Sequence, residues 1–239
     1  MATFKDDGVV LRTIKLGEAD RIVTFVTPGH GKVRAVAKGV RKPKSKLAGR
    51  LEPITHVSMM CWKGRELDVV TQAEVVDSFR AIREDLDRMP AAFTMLETAD
   101  LVAVERQPAP ELFRVLTGAL RALEEAPAPV LLGAFLLRML AVEGVGPVAD
   151  RCTSCGGDGP LVAFDEQVGG FLCRECRSGR AVDAETVELV RLILGGRLRA
   201  ALAAPASRAT AEVERLATVA MEHHLDRRLR SAHLAPGTR

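Results

Sequence analysis

The chain has 239 residues, of which 47% are hydrophobic and 27% charged, the composition of a folded globular protein and not of a disordered or fibrous one. Its longest apolar stretch, Val130 to Val142, is broken by Arg138 and falls short of the roughly 20 residues that span a bilayer. Met1 to Asp7 carries no basic run leading into an apolar stretch, so neither membrane insertion nor export is expected. The formal net charge of +3 is unevenly spread, at +6 over residues 1–80, −5 over 81–150 and +2 over 151–239, which concentrates basic character in the N-terminal third.

Up to about residue 79 short alternating runs with Gly and Pro punctuation predict five strands: Gly8 to Lys15, Arg21 to Thr27, Lys32 to Lys38, Thr55 to Trp62 and Glu66 to Val75. Pro28-Gly29-His30-Gly31 joins the second and third as a hairpin. In the third strand Val33, Ala35 and Ala37 can face a core while Arg34 and Lys38 face out, with Val36 the apolar exception on the outer side. Five strands in so short a stretch predict a small closed barrel of the oligonucleotide-binding (OB) type, with an SH3-like barrel as the alternative. Cys61, in the fourth strand, is expected to be a small buried hydrophobe.

Between Arg21 and Arg50 there are nine Lys or Arg and no acid, a run that includes Lys32, Arg34, Lys38, Arg41, Lys42, Lys44, Lys46 and Arg50. Such a run is often only a solvated face. Here no carboxylate neutralises it, and Gly39, Pro43, Ser45 and Gly49 keep the stretch after the third strand loop-like and mobile. A cationic loop beside a barrel groove suits the tracking of nucleic-acid phosphates. Aromatic stacking platforms are scarce, with no Tyr in the chain and only Phe4, Phe25, Trp62 and Phe79 in this region, so mainly electrostatic binding of single-stranded and duplex DNA is expected.

From residue 80 onward the period becomes helical. Leu112, Leu116, Leu120 and Leu123 form one stripe, and Leu132, Leu136, Met139 and Leu140 another. Proline pairs at 108–110 and 127–129 separate helices, and Gly144 and Gly146-Pro147 end the last of this group. Helices return near Asp183 to Leu194, with Asp183 as N-cap, and near Thr210 to Leu229, with Val213, Leu216, Ala220 and Leu225 inward.

Between these helical stretches, Cys152-Thr-Ser-Cys155 and Cys173-Arg-Glu-Cys176 stand 17 residues apart, in the range of a two-knuckle zinc site. Two thiolates three positions apart can turn onto one ion if the backbone makes a tight knuckle, which Gly156-Gly157 permits. Four thiolates at about 2.3 Å from zinc complete a tetrahedron and leave no position for substrate. The paired spacing argues against disulfides and points to metal in a reducing cytoplasm. Pro160 to Leu172 suffices for a small hairpin but not for an independent core, so the metal has a folding role. The expected architecture is therefore α+β: an OB-type barrel over residues 1–79, then an α-helical domain over 80–239 with a zinc module inserted at about 150–179.

No P-loop, His-Glu-x-x-His or Gly-x-Ser-x-Gly sequence occurs, and the adjacent His223 and His224 would point about 100° apart on a helix, so no enzyme is expected. A zinc-containing RNA-binding or transcription accessory protein is the alternative class, and competition of labelled DNA by matched RNA discriminates it.

Val10-Leu-Arg-Thr, Glu18-Ala-Asp-Arg-Ile-Val-Thr-Phe-Val-Thr27, His30-Gly-Lys32, Ala37-Lys-Gly-Val-Arg-Lys-Pro-Lys-Ser45 and Leu51-Glu52-Pro53 resemble the N-terminal domain of the bacterial recombination mediator family RecO. The resemblance extends to the order of barrel, helical domain and four-cysteine module. It implies DNA repair in the RecF pathway: binding of single- and double-stranded DNA, annealing of complementary strands, and action with RecR in loading RecA onto strands coated by single-stranded-DNA-binding protein, in the cytoplasm at the nucleoid. It also implies recognition of the acidic, apolar-ended tail of single-stranded-DNA-binding protein, for which Arg114, Arg121 and Arg138 are the candidates. Ile54 stands where many relatives carry an aromatic, and some relatives lack the cysteines, so the shared activity does not require the zinc site.

Overall fold

The computed structural model describes residues 2–233. It falls into two compact units, divided between Glu124 and Glu125.

The first unit opens with five strands, β1 (Thr3–Leu16), β2 (Asp20–Thr27), β3 (Gly31–Ala37), β4 (His56–Trp62) and β5 (Asp68–Asp77). They close into a barrel in the order β1-β2-β3-β5-β4, the five-stranded OB arrangement. Alternation decides what faces inward: in β3, Val33, Ala35 and Ala37 are buried while Lys32, Arg34 and Val36 are half-buried on the outside. Phe25, Val57, Met59 and Cys61 fill the interior with them. Cys61 is fully enclosed and its thiol is pushed up to about 12, chiefly by burial, so it is an inert core group.

β1 starts earlier than its sequence suggests. Asp6, Asp7 and Gly8 are poor strand formers, but residues Thr3 to Val9 pair in continuous register with Trp62 to His56 of β4, and this pairing overrides local propensity. At the irregularity between Val10 and Arg12, the Val10 N–H donates to Thr55 O (2.9 Å) and the Ile54 N–H donates to Val10 O (3.0 Å). Ile54 is buried with φ of 74°, an uncommon conformation for a β-branched residue, held by these bonds and by Arg83, which donates to Pro53 O and to the Thr55 hydroxyl.

Three helices complete this unit: α1 (Arg80–Arg83), α2 (Met89–Val102) and α3 (Pro110–Glu125). The predicted leucine stripe of α3 is buried. After α2 the chain runs along the start of β3, where the Lys32 N–H donates to Val104 O (3.0 Å) and the Arg106 N–H to Lys32 O (3.3 Å). Gly31 is required there, since a Cβ would stand 1.9 Å from Gln107 O.

The second unit contains α4 (Leu131–Val142), β6 (Leu161–Asp165), β7 (Gly170–Cys173), β8 (Arg180–Ala181), α5 (Ala184–Leu194), α6 (Leu198–Leu202) and α7 (Arg208–His224). α4 is buried on almost every side, which is why its sequence is nearly continuous in apolar residues. Asp183 caps α5 by accepting from the Thr186 N–H (2.8 Å), a bond that also lowers its carboxyl below the ordinary carboxylate range. Ser207 and Thr210 form a reciprocal cap on α7. The last helix ends earlier than the periodicity predicts: it stops at His224, Asp226 turns into φ of 47°, and Leu229 is buried in the segment beyond the helix.

Candidate nucleic-acid interface and candidate metal centre

Residues 38–50, between β3 and β4, form a succession of turns. The stretch is loop-like as its composition predicts, but it is pinned where a mobile loop was expected. Val40 and Leu51 are buried in the barrel core with Leu47 packed against it, because these apolar side chains alternate with the cations. The Gly39 N–H donates to Asp20 Oδ1 (2.7 Å) and the Arg41 N–H to Ala19 O (2.9 Å). The cations are thus carried on a tethered surface.

The eight basic candidates divide by environment. Lys38, Lys42, Lys44 and Lys46 are exposed and, among the described residues, form no ion pair. Arg41 is exposed and donates to the Gly17 and Glu18 carbonyls (3.2 and 2.9 Å), which fixes its guanidinium without neutralising it. Arg50 donates to Ala73 O (2.8 Å). Lys32 and Arg34 stand apart from these: Lys32 Nζ is 3.4 Å from Asp100 Oδ1 with its side chain only 17% exposed, and Arg34 Nη1 is 3.6 Å from Glu105 Oε1. Sequence reading missed both acids. The negative balance of the segment that follows the barrel was the available signal, but not its placement against β3.

The three arginines proposed for a partner peptide are not equivalent. Arg114 and Arg121 lie on α3, and Arg114 pairs with Glu111 one turn away. Arg121 is exposed and Arg138, on α4, half-buried. The acids nearest them in sequence are engaged elsewhere: Glu124 accepts the Ala81 N–H and Glu143 stands 3.8 Å from His224.

The four cysteines converge. Their sulfurs all lie within 4.8 Å of one another, and Cys155 Sγ is 3.9 Å from Cys173 Sγ. Sulfurs on a tetrahedron around one ion at about 2.3 Å lie a little under 4 Å apart, so the donor set fits a single metal ion. The first knuckle is built by Gly156, at φ of 72°, whose N–H donates to Cys152 O (2.8 Å) while the Cys152 N–H donates to Gly157 O (2.9 Å). The second pair begins at the end of β7, where the Cys173 N–H donates to Cys152 Sγ (3.4 Å). Backbone donors from Cys155 and then Cys173 draw the Cys152 thiol down to about 6. Cys176 is pushed up to about 12, first by its hydrogen bond to Cys155, which favours the protonated thiol. Beneath the cluster β7, β6 and β8 form a three-stranded sheet, with Phe164 and Phe171 edge-to-face at 5.1 Å. The hairpin was legible in sequence. The two-residue third strand is too short to leave a periodic signal.

His223 and His224 are both exposed at the end of α7. No helix among the described residues is long and apolar enough to cross a membrane.

Comparison with known proteins agrees with this architecture. Residues 1–79 match the family described as Recombination protein O N terminal, and residues 83–233 match Recombination protein O C terminal. The chain is 46% identical over 237 residues to the DNA repair protein RecO of Frankia casuarinae, covering 97% of each chain. It is 45% identical over 238 residues to the DNA repair protein RecO of a Nocardioides species, covering 95% of this chain and 97% of that one. With a five-stranded OB-type barrel, a helical second part and a four-cysteine cluster all in place, the chain belongs to the RecO family of DNA repair proteins.

Proposed function

We propose that this protein is a DNA-binding recombination mediator of the RecF pathway. In this reading it binds single- and double-stranded DNA, anneals complementary strands, and acts with RecR to load RecA onto strands coated by single-stranded-DNA-binding protein, in the cytoplasm at the nucleoid. The observation that carries the reading is the cluster of exposed, acid-free cations Lys38, Arg41, Lys42, Lys44, Lys46 and Arg50 on a tethered segment of an OB-type barrel. Cations without acid partners attract phosphates and release counterions on contact, giving affinity without base specificity. Lys32 and Arg34 have lesser roles, because Asp100 and Glu105 offset their charge.

We further assign the four-cysteine cluster to one structural zinc ion. An all-sulfur tetrahedral set suits zinc, and with four protein ligands the metal holds the module together and takes no part in chemistry. For the tail of single-stranded-DNA-binding protein, Arg121 and Arg138 are better candidates than Arg114, whose charge Glu111 already engages. Titration of the tail peptide into the protein tests this, since loss of binding in Arg121→Ala or Arg138→Ala supports the assignment and undiminished binding in both places the tail elsewhere.

The function itself is tested by annealing of complementary oligonucleotides. The protein should accelerate duplex formation without ATP, and a chain that binds neither single-stranded nor duplex DNA and leaves the annealing rate unchanged would contradict the reading. Family membership favours DNA over the RNA-binding or transcription alternative, and the same assay with matched RNA strands separates the two.

A further inference from the structure

The barrel's aromatic residues do not share one fate. Phe25 and Phe79 are fully buried, and Phe4 is half-buried with its ring 4.2 Å from that of His30. Trp62, at the end of β4, is 49% exposed. A tryptophan left half in water forgoes about half of the burial that normally stabilises it, so its position outside the barrel calls for an explanation.

Strand register shows what surrounds it. Trp62 pairs with Thr3 of β1 and Val69 of β5, and Val69 pairs with Val36 of β3, which places Trp62, Val69 and Val36 in one row across three strands on the outer face. Their neighbours Cys61, Val70, Ala35 and Ala37 face the core, which confirms that the row points outward. With strands about 4.8 Å apart, Trp62 lies about 10 Å from Val36. Lys38, the first cation of the exposed cluster, follows Val36 by two residues. On its other side Trp62 leads into a loop with exposed Lys63 and Arg65 and one exposed acid, Glu66. That loop is braced by Arg106, which donates to Gly64 O (3.2 Å) and Arg65 O (3.3 Å). An aromatic face is therefore held on a rigid row with cations at both ends, the arrangement that tracks a phosphate backbone while a base stacks.

We infer that Trp62 is a stacking platform for a base of single-stranded DNA, continuous with the Lys38–Lys46 cation surface. The inference rests on the reading of the barrel as the DNA-binding element. Duplex DNA keeps its base faces inside the stack, so Trp62 gives the barrel a preference for single strands that phosphate contacts alone do not supply. Stacking releases no counterions, so this contribution adds affinity without steepening the salt dependence.

The chain has one Trp and no Tyr, so tryptophan emission from the intact protein reports on Trp62 alone. Titration with a thymine oligonucleotide should quench that emission saturably, in parallel with the rise in anisotropy of a labelled strand, whereas blunt duplex should bind with little quenching. Trp62→Ala should weaken single-strand binding about tenfold, leave duplex binding within about twofold, and keep the slope of affinity against salt, while Trp62→Phe should recover part of the loss. A strand that binds by anisotropy without changing Trp62 emission, and equally well to Trp62→Ala, overturns the inference and leaves the barrel reading standing. Quenching by single-stranded RNA but not DNA also overturns it. Failure of either DNA form to bind the unsubstituted protein removes the barrel reading and the inference with it.

Discussion

The Lys32 ammonium stands 3.4 Å from Asp100, a residue 68 positions later on α2, and the Arg12 guanidinium reaches the same carboxylate at 2.6 Å. One acid from the helical segment thus pairs with two cations on the outer face of the barrel and offsets one of their two charges. With its own side chain only 18% exposed, Asp100 is partly shielded from water, so its loss strands two positive charges.

Asp100→Asn should therefore destabilise the protein by about 1–3 kcal/mol, read as a lower midpoint in denaturant at unchanged slope. Lys32→Ala should change DNA affinity by less than about threefold, because Asp100, which it shares with Arg12, already offsets part of the charge it removes. A large loss of DNA binding in Lys32→Ala would show that Lys32 leaves Asp100 to contact phosphate.

Elemental analysis of freshly purified protein should find one zinc per chain. Cys155 is the exposed member of the set, so Cys155→Ser removes a ligand with little change in packing. That variant should lose the metal and unfold at lower temperature, and a chelator should lower the stability of the unsubstituted protein toward the same level. Trp62 emission, which reads the barrel, should stay native. Native protein without metal, or Cys155→Ser with full zinc content, would contradict the site.

His56 sets an acid limit on the first unit. It is buried at the start of β4 against Phe113, with rings 5.4 Å apart at 73°, and neither ring nitrogen has a hydrogen-bond partner. Burial lowers its pKa below 6.5 and Arg121 lowers it further, against the opposing pull of Asp7 and Asp77. Since the unfolded state binds the proton first, stability is intact above about pH 6.5 and is lost as pH falls toward the depressed folded value. His56→Leu should flatten the fall in melting temperature between pH 7 and 5, and an unchanged pH profile would assign the acid sensitivity to other groups.

The barrel and the cysteine cluster were legible in sequence for different reasons. Alternation in Lys32 to Lys38 and the turn at Pro28–Gly31 encode strand faces locally, and two Cys-x-x-Cys pairs encode the four-sulfur cluster by type and spacing alone. What the sequence hid depends on contacts distant in the chain. The pairing of Thr3 to Val9 with β4 overrides the weak strand propensity of Asp6 to Gly8. The offset of Lys32 by Asp100 and of Arg34 by Glu105 needs the path of the chain after α2, which no local pattern specifies. The tethering of residues 38–50 was partly readable, since Val40, Leu47 and Leu51 alternate with the cations, but their burial is settled only once the barrel closes.

Salt dependence of DNA binding tests the role of the exposed cations most directly. Six charges without acid partners, Lys38, Arg41, Lys42, Lys44, Lys46 and Arg50, predict a slope of log affinity against log salt of about −5.5 on duplex and about −4 on single strands. Reversal of Lys42, Lys44 and Lys46 to Glu should weaken binding to every sequence and reduce the duplex slope to about −2.5 or shallower. These side chains are exposed, so the folded state should be unaffected. A triple variant that keeps both the affinity and the slope of the unsubstituted protein would contradict the assignment of DNA binding to this surface.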